Sequence, residues 1–224
     1  MFGDELTSKT DCIERFKQAG VEAVEYTFRA THREMAEVAG LKNPNYLLEA
    51  GCHEGNLSQA FAKRWKDLAV PFGLDKDAEA LERFRRRFGA RRAKLHDLET
   101  TAPWDFAEGI FDLVIISFVI EHISVKAFCR LILEAKRLAP GFLFGVHTFR
   151  GVIDQFPEVE PGRRKIPAPG LPPMLVGSEE FYKTAIIAGG FVSFEKVGTI
   201  FFPNKRQLGV FAGTEAAAIY LAKR

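Results

Sequence analysis

Cysteine is scarce in this chain. Its 224 residues hold only Cys12, Cys52 and Cys129, far apart and with no C-x-x-C pair. That excludes a disulfide scaffold and a structural zinc site built on cysteines, and it makes a reducing compartment the simpler setting. Neither charge sign dominates: 31 Lys and Arg against 29 Asp and Glu leave a net charge of +2, so there is no general electrostatic pull toward nucleic acid or an anionic membrane. The longest apolar run, Leu113 to Ile120, falls far short of the roughly 20 residues of a spanning helix. The opening Met1-Phe-Gly-Asp-Glu is polar and acidic, which is not the pattern of a secretory leader, and a cytoplasmic location is expected. What is present is 47% hydrophobic and 27% charged, the balance of an ordinary globular domain rather than of a disordered or fibrous chain. The length suits one domain, or one with a small appendage.

Hydrophobic periodicity organises the chain. Ile13, Phe16, Val24, Phe28, Met35 and Val38 recur at helical spacing, which predicts helix over residues 5–39, and Asn43-Pro44-Asn45 ends it. From Tyr46 onward short apolar runs alternate with amphipathic stretches: strand to Glu49, helix 57–66, strand 69–74, helix 78–88, strand 92–95, strand 111–117, helix 125–138, strand 142–146. Strands that read as continuous apolar runs belong to a sheet covered by helices on both faces. Residues 157–173 carry six of the eleven prolines, which predicts irregular structure there. Ser178 is the expected N-cap of a further helix ended by Gly189-Gly190. Strands are expected at 191–202 and 216–222. The fold class is α/β, a doubly wound, Rossmann-like sheet. The expected organisation is an N-terminal helical cap over 1–42 and a sheet domain over 43–224, with 150–177 a Pro-rich insert on the substrate side.

Three strand ends carry the chemistry. Glu49-Ala50-Gly51-Cys52-His53-Glu54-Gly55 joins a strand to a helix, an arrangement that points backbone N–H groups into the crevice above the sheet. The nicotinamide fingerprint G-x-G-x-x-G fails there twice, at His53 and at Asn56. Asp75 ends the second strand, where a carboxylate can accept from both hydroxyls of a ribose, although capping the helix that follows is an alternative use. Asp97-Leu98 follows the third strand and can read an adenine amino group and ring nitrogen, or simply be a surface loop.

The segment Phe111-Asp-Leu-Val-Ile-Ile-Ser-Phe-Val-Ile-Glu-His-Ile123 closely resembles the fourth-strand region of class I S-adenosylmethionine-dependent methyltransferases, in particular the branch with quinone-biosynthesis and natural-product enzymes. The resemblance runs in order from Tyr46 to Val146, resumes at Val176 to Phe191 and closes on the last strand. The acid-x-G-x-G-x-G pattern of that family is met by Glu49, Gly51 and Gly55, with His53 where a glycine belongs. The resemblance implies a seven-stranded sheet, mostly parallel with the last strand antiparallel. It implies S-adenosylmethionine as cofactor and S-adenosylhomocysteine as product. The cofactor would be held by Glu49, Ala50, Gly51, Cys52, His53 and Gly55, by Asp75 and Lys76 at the ribose, by Asp97 and Leu98 at the adenine, and by Ser117 near the methionine part.

His122 follows the fourth strand and His147 the fifth, so either could serve as general base for a hydroxyl nucleophile. The expected reaction is methyl transfer to a small-molecule acceptor, at oxygen before nitrogen or carbon, by in-line displacement. No resident metal is expected. Glu121, His122 and His147 resemble part of the metal group of RNA 3′-terminal methyltransferases, but Phe118 stands where a glutamate should be. An RNA methyltransferase and a non-catalytic cofactor-binding protein are the alternatives. The basic run Arg83, Arg85, Arg86, Arg87, Arg91, Arg92 and Lys94 is read as a solvated face, so nucleic acid is not an expected partner. A monomer or homodimer is expected. Phe149, Phe156 and Met174 are expected to line an acceptor pocket, and Arg163-Arg164-Lys165 to lie in a solvated loop.

Overall fold

The computed structural model describes residues 26–37, 45–65, 71–148, 156–168, 171–202 and 213–224. The strands in chain order are β1 (Leu47–Ala50), β2 (Phe72–Asp75), β3 (Ala93–Leu95), β4 (Leu113–Ser117), β5 (Gly141–His147), β6 (Glu158–Glu160), β7 (Arg163–Ala168), β8 (Leu171–Gly177), β9 (Ser193–Phe201) and β10 (Glu215–Lys223). The helices are α1 (residues 26–37), α2 (Asn56–Arg64), α3 (Ala78–Phe88), α4 (Val125–Leu138) and α5 (Glu179–Ala188). A single 3₁₀ turn, Ile120–His122, follows β4. Seven strands form one sheet in the order β3-β2-β1-β4-β5-β10-β9. The first five are parallel, and β10 runs antiparallel to both neighbours. This is the doubly wound sheet expected from the sequence. No helix among the described residues is long and apolar enough to cross a membrane.

Alternate residues of the central strands feed two cores, as the pleat requires. Leu48, Val114, Ile116, Phe142 and Phe144 pack with α4 and α5 on one face. Leu47, Leu113, Ile115 and Leu143 pack with α1 and α2 on the other. Burial of each such side chain contributes about 1.5–3 kcal/mol, so the parallel strands need no further fastening. On the second face α3 sits close: a Cβ on Gly73 would meet Phe84 at 2.9 Å. Helix ends are set as the sequence suggests. Asp77 caps α3 by accepting from the N–H groups of Glu79 and Ala80, and Ser178 caps α5 by accepting from Phe181. The helix-cap alternative for Asp75 therefore falls to Asp77.

The Pro-rich stretch departs from expectation. It is not irregular: β6, β7 and β8 form a three-stranded antiparallel sheet. The β7–β8 register shifts between Ile166 and Ala168. Pro167 falls at that shift, and bulges are among the few places in a sheet that admit proline. Nor is Arg163 solvated. Its guanidinium is fully buried and donates to the carbonyls of Ile120, Ile123 and Leu175 and to Glu160. It fastens the small sheet onto the 3₁₀ turn. Phe156 and Met174 are each 3% exposed, in the packing of this region rather than on an acceptor cavity. Cys12, Phe149 and the stretch 5–25 of the expected first helix lie outside the described residues.

Candidate functional site

Strand order reverses between β1 and β4, and doubly wound sheets hold ligands at such a switch point, beyond the carboxyl ends of the strands. A cavity of about 1190 Å³ lies there, roofed by α1 and α2. Glu49, Gly51, Cys52, His53, Asp75 and Lys76 line it, as do Asp97, Leu98, Ser117 and His122. Of the residues singled out in the sequence, Ala50, Gly55 and His147 are not on its wall.

The loop after β1 keeps the geometry of glycine despite His53. Gly51, His53 and Gly55 have φ of 69°, 46° and 80°. His53 thus sits in the left-handed region at a residue type that enters it more readily than most. Its side chain is exposed at the cavity, and its N–H donates to Asp75 Oδ2 at 2.7 Å. Asp75 Oδ1 accepts from Asp77 N–H at 2.9 Å. Each oxygen keeps a second lone pair, so Asp75 can still accept two hydrogen bonds from a ligand. Gly51 lies against Val119, which a Cβ there would strike. A Cβ on Gly55 would meet Phe88 at 2.6 Å, so this glycine serves helix packing.

Glu49 is 5% exposed. Its Oε2 accepts from Ser58 N–H at 2.9 Å and from Ser58 Oγ at 2.5 Å. Burial pushes its pKa up to about 8, against the opposing pull of those hydrogen bonds. Burial also raises the Cys52 thiol far out of the reactive range. Asp97 Oδ1 accepts from Glu99 N–H at 3.0 Å, which holds the loop after β3 in a tight turn. Ser117 Oγ is buried and has no hydrogen-bond partner among the described residues, although Ser117 faces the cavity. An orphaned hydroxyl on the wall marks a place where a ligand's polar group is wanted.

The two candidate bases differ. His122 is exposed to the cavity, and partial burial holds its pKa below the usual imidazole value. His147 is 3% exposed. Its N–H and its Nδ1 both face Glu121 Oε1, at 2.7 and 3.1 Å. Burial would raise the Glu121 carboxyl, but the hydrogen bonds and charge of His147 outweigh it and hold it low. The Phe118 ring lies 4.1 Å from the His147 ring, with Phe28 edge-on to Phe118 at 4.5 Å. Phe118 itself has φ of 56°, a strained value that the surrounding packing enforces. No cluster of three or more His, Cys, Asp or Glu suited to a metal forms among the described residues.

The apolar wall comes from Phe28, Phe118, Val119 and Ile123, not from the Pro-rich insert. His32 of α1 also lines the cavity, with its pKa lowered to about 4 by burial. Sequence reading missed the lining face of α2, where Asn56, Gln59, Ala60 and Lys63 recur at helical spacing.

Residues 47–141 match the family model described as a methyltransferase domain. The cofactor of such a domain is S-adenosylmethionine, and the cavity suits it: two strand-end carboxylates, a glycine loop pressed to Val119 and the orphaned Ser117 hydroxyl share one wall. No curated protein matches the chain. Among solved structures, the PH0226 protein of Pyrococcus horikoshii is 16% identical with a TM-score of 0.63, over 89% of this chain and 91% of that one. An S-adenosylmethionine-dependent methyltransferase of Mesorhizobium loti is 18% identical with a TM-score of 0.60, over 83% and 94%. The N-terminal domain of EvdMO1, crystallised with SAH and D-fucose, is 19% identical with a TM-score of 0.59, over 85% and 81%. At these identities the likeness is one of fold.

Proposed function

We propose that the chain transfers a methyl group from S-adenosylmethionine to an oxygen of a small-molecule acceptor. One observation carries this reading: the cofactor-side residues and His122 line the same cavity as an apolar wall of Phe28, Phe118, Val119 and Ile123. A recess roofed by two helices suits a small molecule better than a polynucleotide. The basic run of α3 and β3 supports this, since several of its side chains are engaged within the protein: Arg85 with Glu82 and Ala93 O, Arg87 with Asn56, Lys94 with Asp105.

The cofactor supplies a methyl group on a sulfonium, open to attack in line. Asp75, with Lys76 beside it, accepts from the ribose hydroxyls, and Asp97 and the Leu98 N–H read the adenine. Ser117 and the Gly51–Gly55 loop face the methionine part, and Glu49 supports that loop through Ser58. His122 takes the hydroxyl proton of the acceptor at a ring nitrogen, and its lowered pKa keeps it neutral and able to accept near pH 7. His147 holds Glu121 and backs Phe118, a positioning part. Rate comes chiefly from alignment of nucleophile and methyl group. Helix α1 is the described part of an N-terminal cap, and the protein acts in the cytoplasm as a monomer or homodimer.

Calorimetric titration with S-adenosylmethionine, S-adenosylhomocysteine and NADH, on protein checked for co-purified ligand, tests the reading. Binding of the two sulfur nucleosides and not of NADH is expected, followed by acceptor-dependent formation of S-adenosylhomocysteine with small molecules rather than RNA. Binding without turnover against any acceptor class would favour a non-catalytic role.

A further inference from the structure

Helix α1 presents Arg29, Arg33 and Glu37 at four-residue intervals, and all three line the cavity. Facing them, α2 presents Lys63 and Arg64. Arg64 Nε donates to Glu37 Oε2 at 2.9 Å and ties the two rows together at one end. On this wall Arg33, Lys63 and Arg64 stand against the Glu37 carboxylate, and among the described residues neither Arg33 nor Lys63 has a carboxylate partner. The other acids of the cavity lie elsewhere: Asp75 ends β2, Asp97 follows β3, and Glu49 is buried in the floor.

The cofactor cannot balance this wall. S-adenosylmethionine carries a sulfonium and an ammonium against a single carboxylate, so its binding leaves the cavity more positive. The side chains of Arg33, Lys63 and Arg64 are exposed at the cavity, and a cleft edged by charge of one sign draws a ligand of the opposite sign. The volume also exceeds the roughly 300–1000 Å³ of a pocket for one small ligand. Beside the basic row, on the same helix, Phe28 meets Phe118 edge to face at 4.5 Å. At 1.5 Å per residue Phe28 and Arg33 are separated by about 7 Å along the helix axis, the span of a fused ring pair.

We infer that the acceptor is an anionic small molecule with a flat apolar body, seated with its ring on Phe28 and Phe118 and its acid group at Arg33 and Lys63. This inference rests on the methyl-transfer reading above, and its test separates the two. Protein saturated with S-adenosylhomocysteine is titrated with anilinonaphthalene sulfonate and with phenylnaphthylamine, which share a ring body and differ by the acid group. Fluorescence is read for the native chain and for the double variant Arg33→Gln, Lys63→Gln. The sulfonate is expected to bind the native protein about tenfold or more tightly than the neutral probe, and to lose that advantage in the variant, as removal of charge-assisted hydrogen bonds implies. Equal affinity for the two probes, no binding of the sulfonate, or a sulfonate affinity untouched by the substitutions would overturn the inference. Absence of S-adenosylhomocysteine binding in the first step would overturn the methyl-transfer reading instead.

Discussion

The N–H of His53 donates to Asp75 Oδ2 at 2.7 Å, so the residue that breaks the glycine pattern is also the one that orients the carboxylate at the tip of β2. The side chain of His53 leaves through the open side of the loop, and the backbone follows the path a glycine would take. The carboxylate and the loop are one unit, fixed before any ligand arrives.

Replacing Asp75 by Ala removes two backbone clamps and the proposed ribose acceptor together. The dissociation constant for S-adenosylhomocysteine should rise by about tenfold or more, the equivalent of one charge-assisted hydrogen bond. Calorimetry gives the answer directly, and an unchanged constant would remove Asp75 from the ribose site.

His53→Val tests the strain in the loop. A β-branched residue at φ near 46° should cost about 1–2 kcal/mol of stability in urea unfolding. His53→Gly should bind S-adenosylhomocysteine within about threefold of the native chain, because the φ it needs is free for glycine. A large loss in the glycine variant would mean that the imidazole itself holds the ligand.

Glu49 makes stability depend on pH. Its pKa is about 8 in the folded chain and in the ordinary carboxylate range when unfolded. Between those values the unfolded chain binds fewer protons than the folded one, so this group's contribution falls as pH rises from about 4.5 to about 8, by at most about 5 kcal/mol. Urea unfolding at pH 5, 7 and 8.5 should show Glu49→Gln losing that component of the slope and gaining relative stability at the alkaline end. A slope identical to that of the native chain would mean that Glu49 is ionised throughout.

His147→Ala takes the imidazole from the buried Glu121 carboxylate and leaves it the backbone N–H of the same residue, at a cost of about 1–3 kcal/mol. Unfolding free energy should fall by that amount while S-adenosylhomocysteine affinity is kept. His122→Ala should leave stability nearly unchanged and lower turnover. A His147 variant of native stability would show that the imidazole is not holding the carboxylate in place.

Much of the fold is legible in the sequence because its determinants are local. Apolar runs mark β1, β4 and β5, amphipathic spacing marks α3 and α4, and a side-chain oxygen beside a free helix end marks Ser178 as a cap. The strand-ending positions of Glu49, Asp75, Asp97 and Ser117 are legible for the same reason: in a parallel sheet every strand delivers its carboxyl end to one rim. The direction in which a side chain then points is not local. His122 and His147 both follow apolar runs, but the 3₁₀ turn leaves His122 at the cavity, whereas β5 is buried on both faces and turns His147 onto Glu121. Arg163 reads as a solvated cation until three carbonyls from two other segments close around it, and Pro167 reads as a strand breaker until the β7–β8 pairing sets it at a register shift. The basic wall of α1 and α2 arises only when two helices distant in sequence are packed on the same sheet face. Local spacing fixes which residues share a strand or a helix face; long-range packing decides what each face meets.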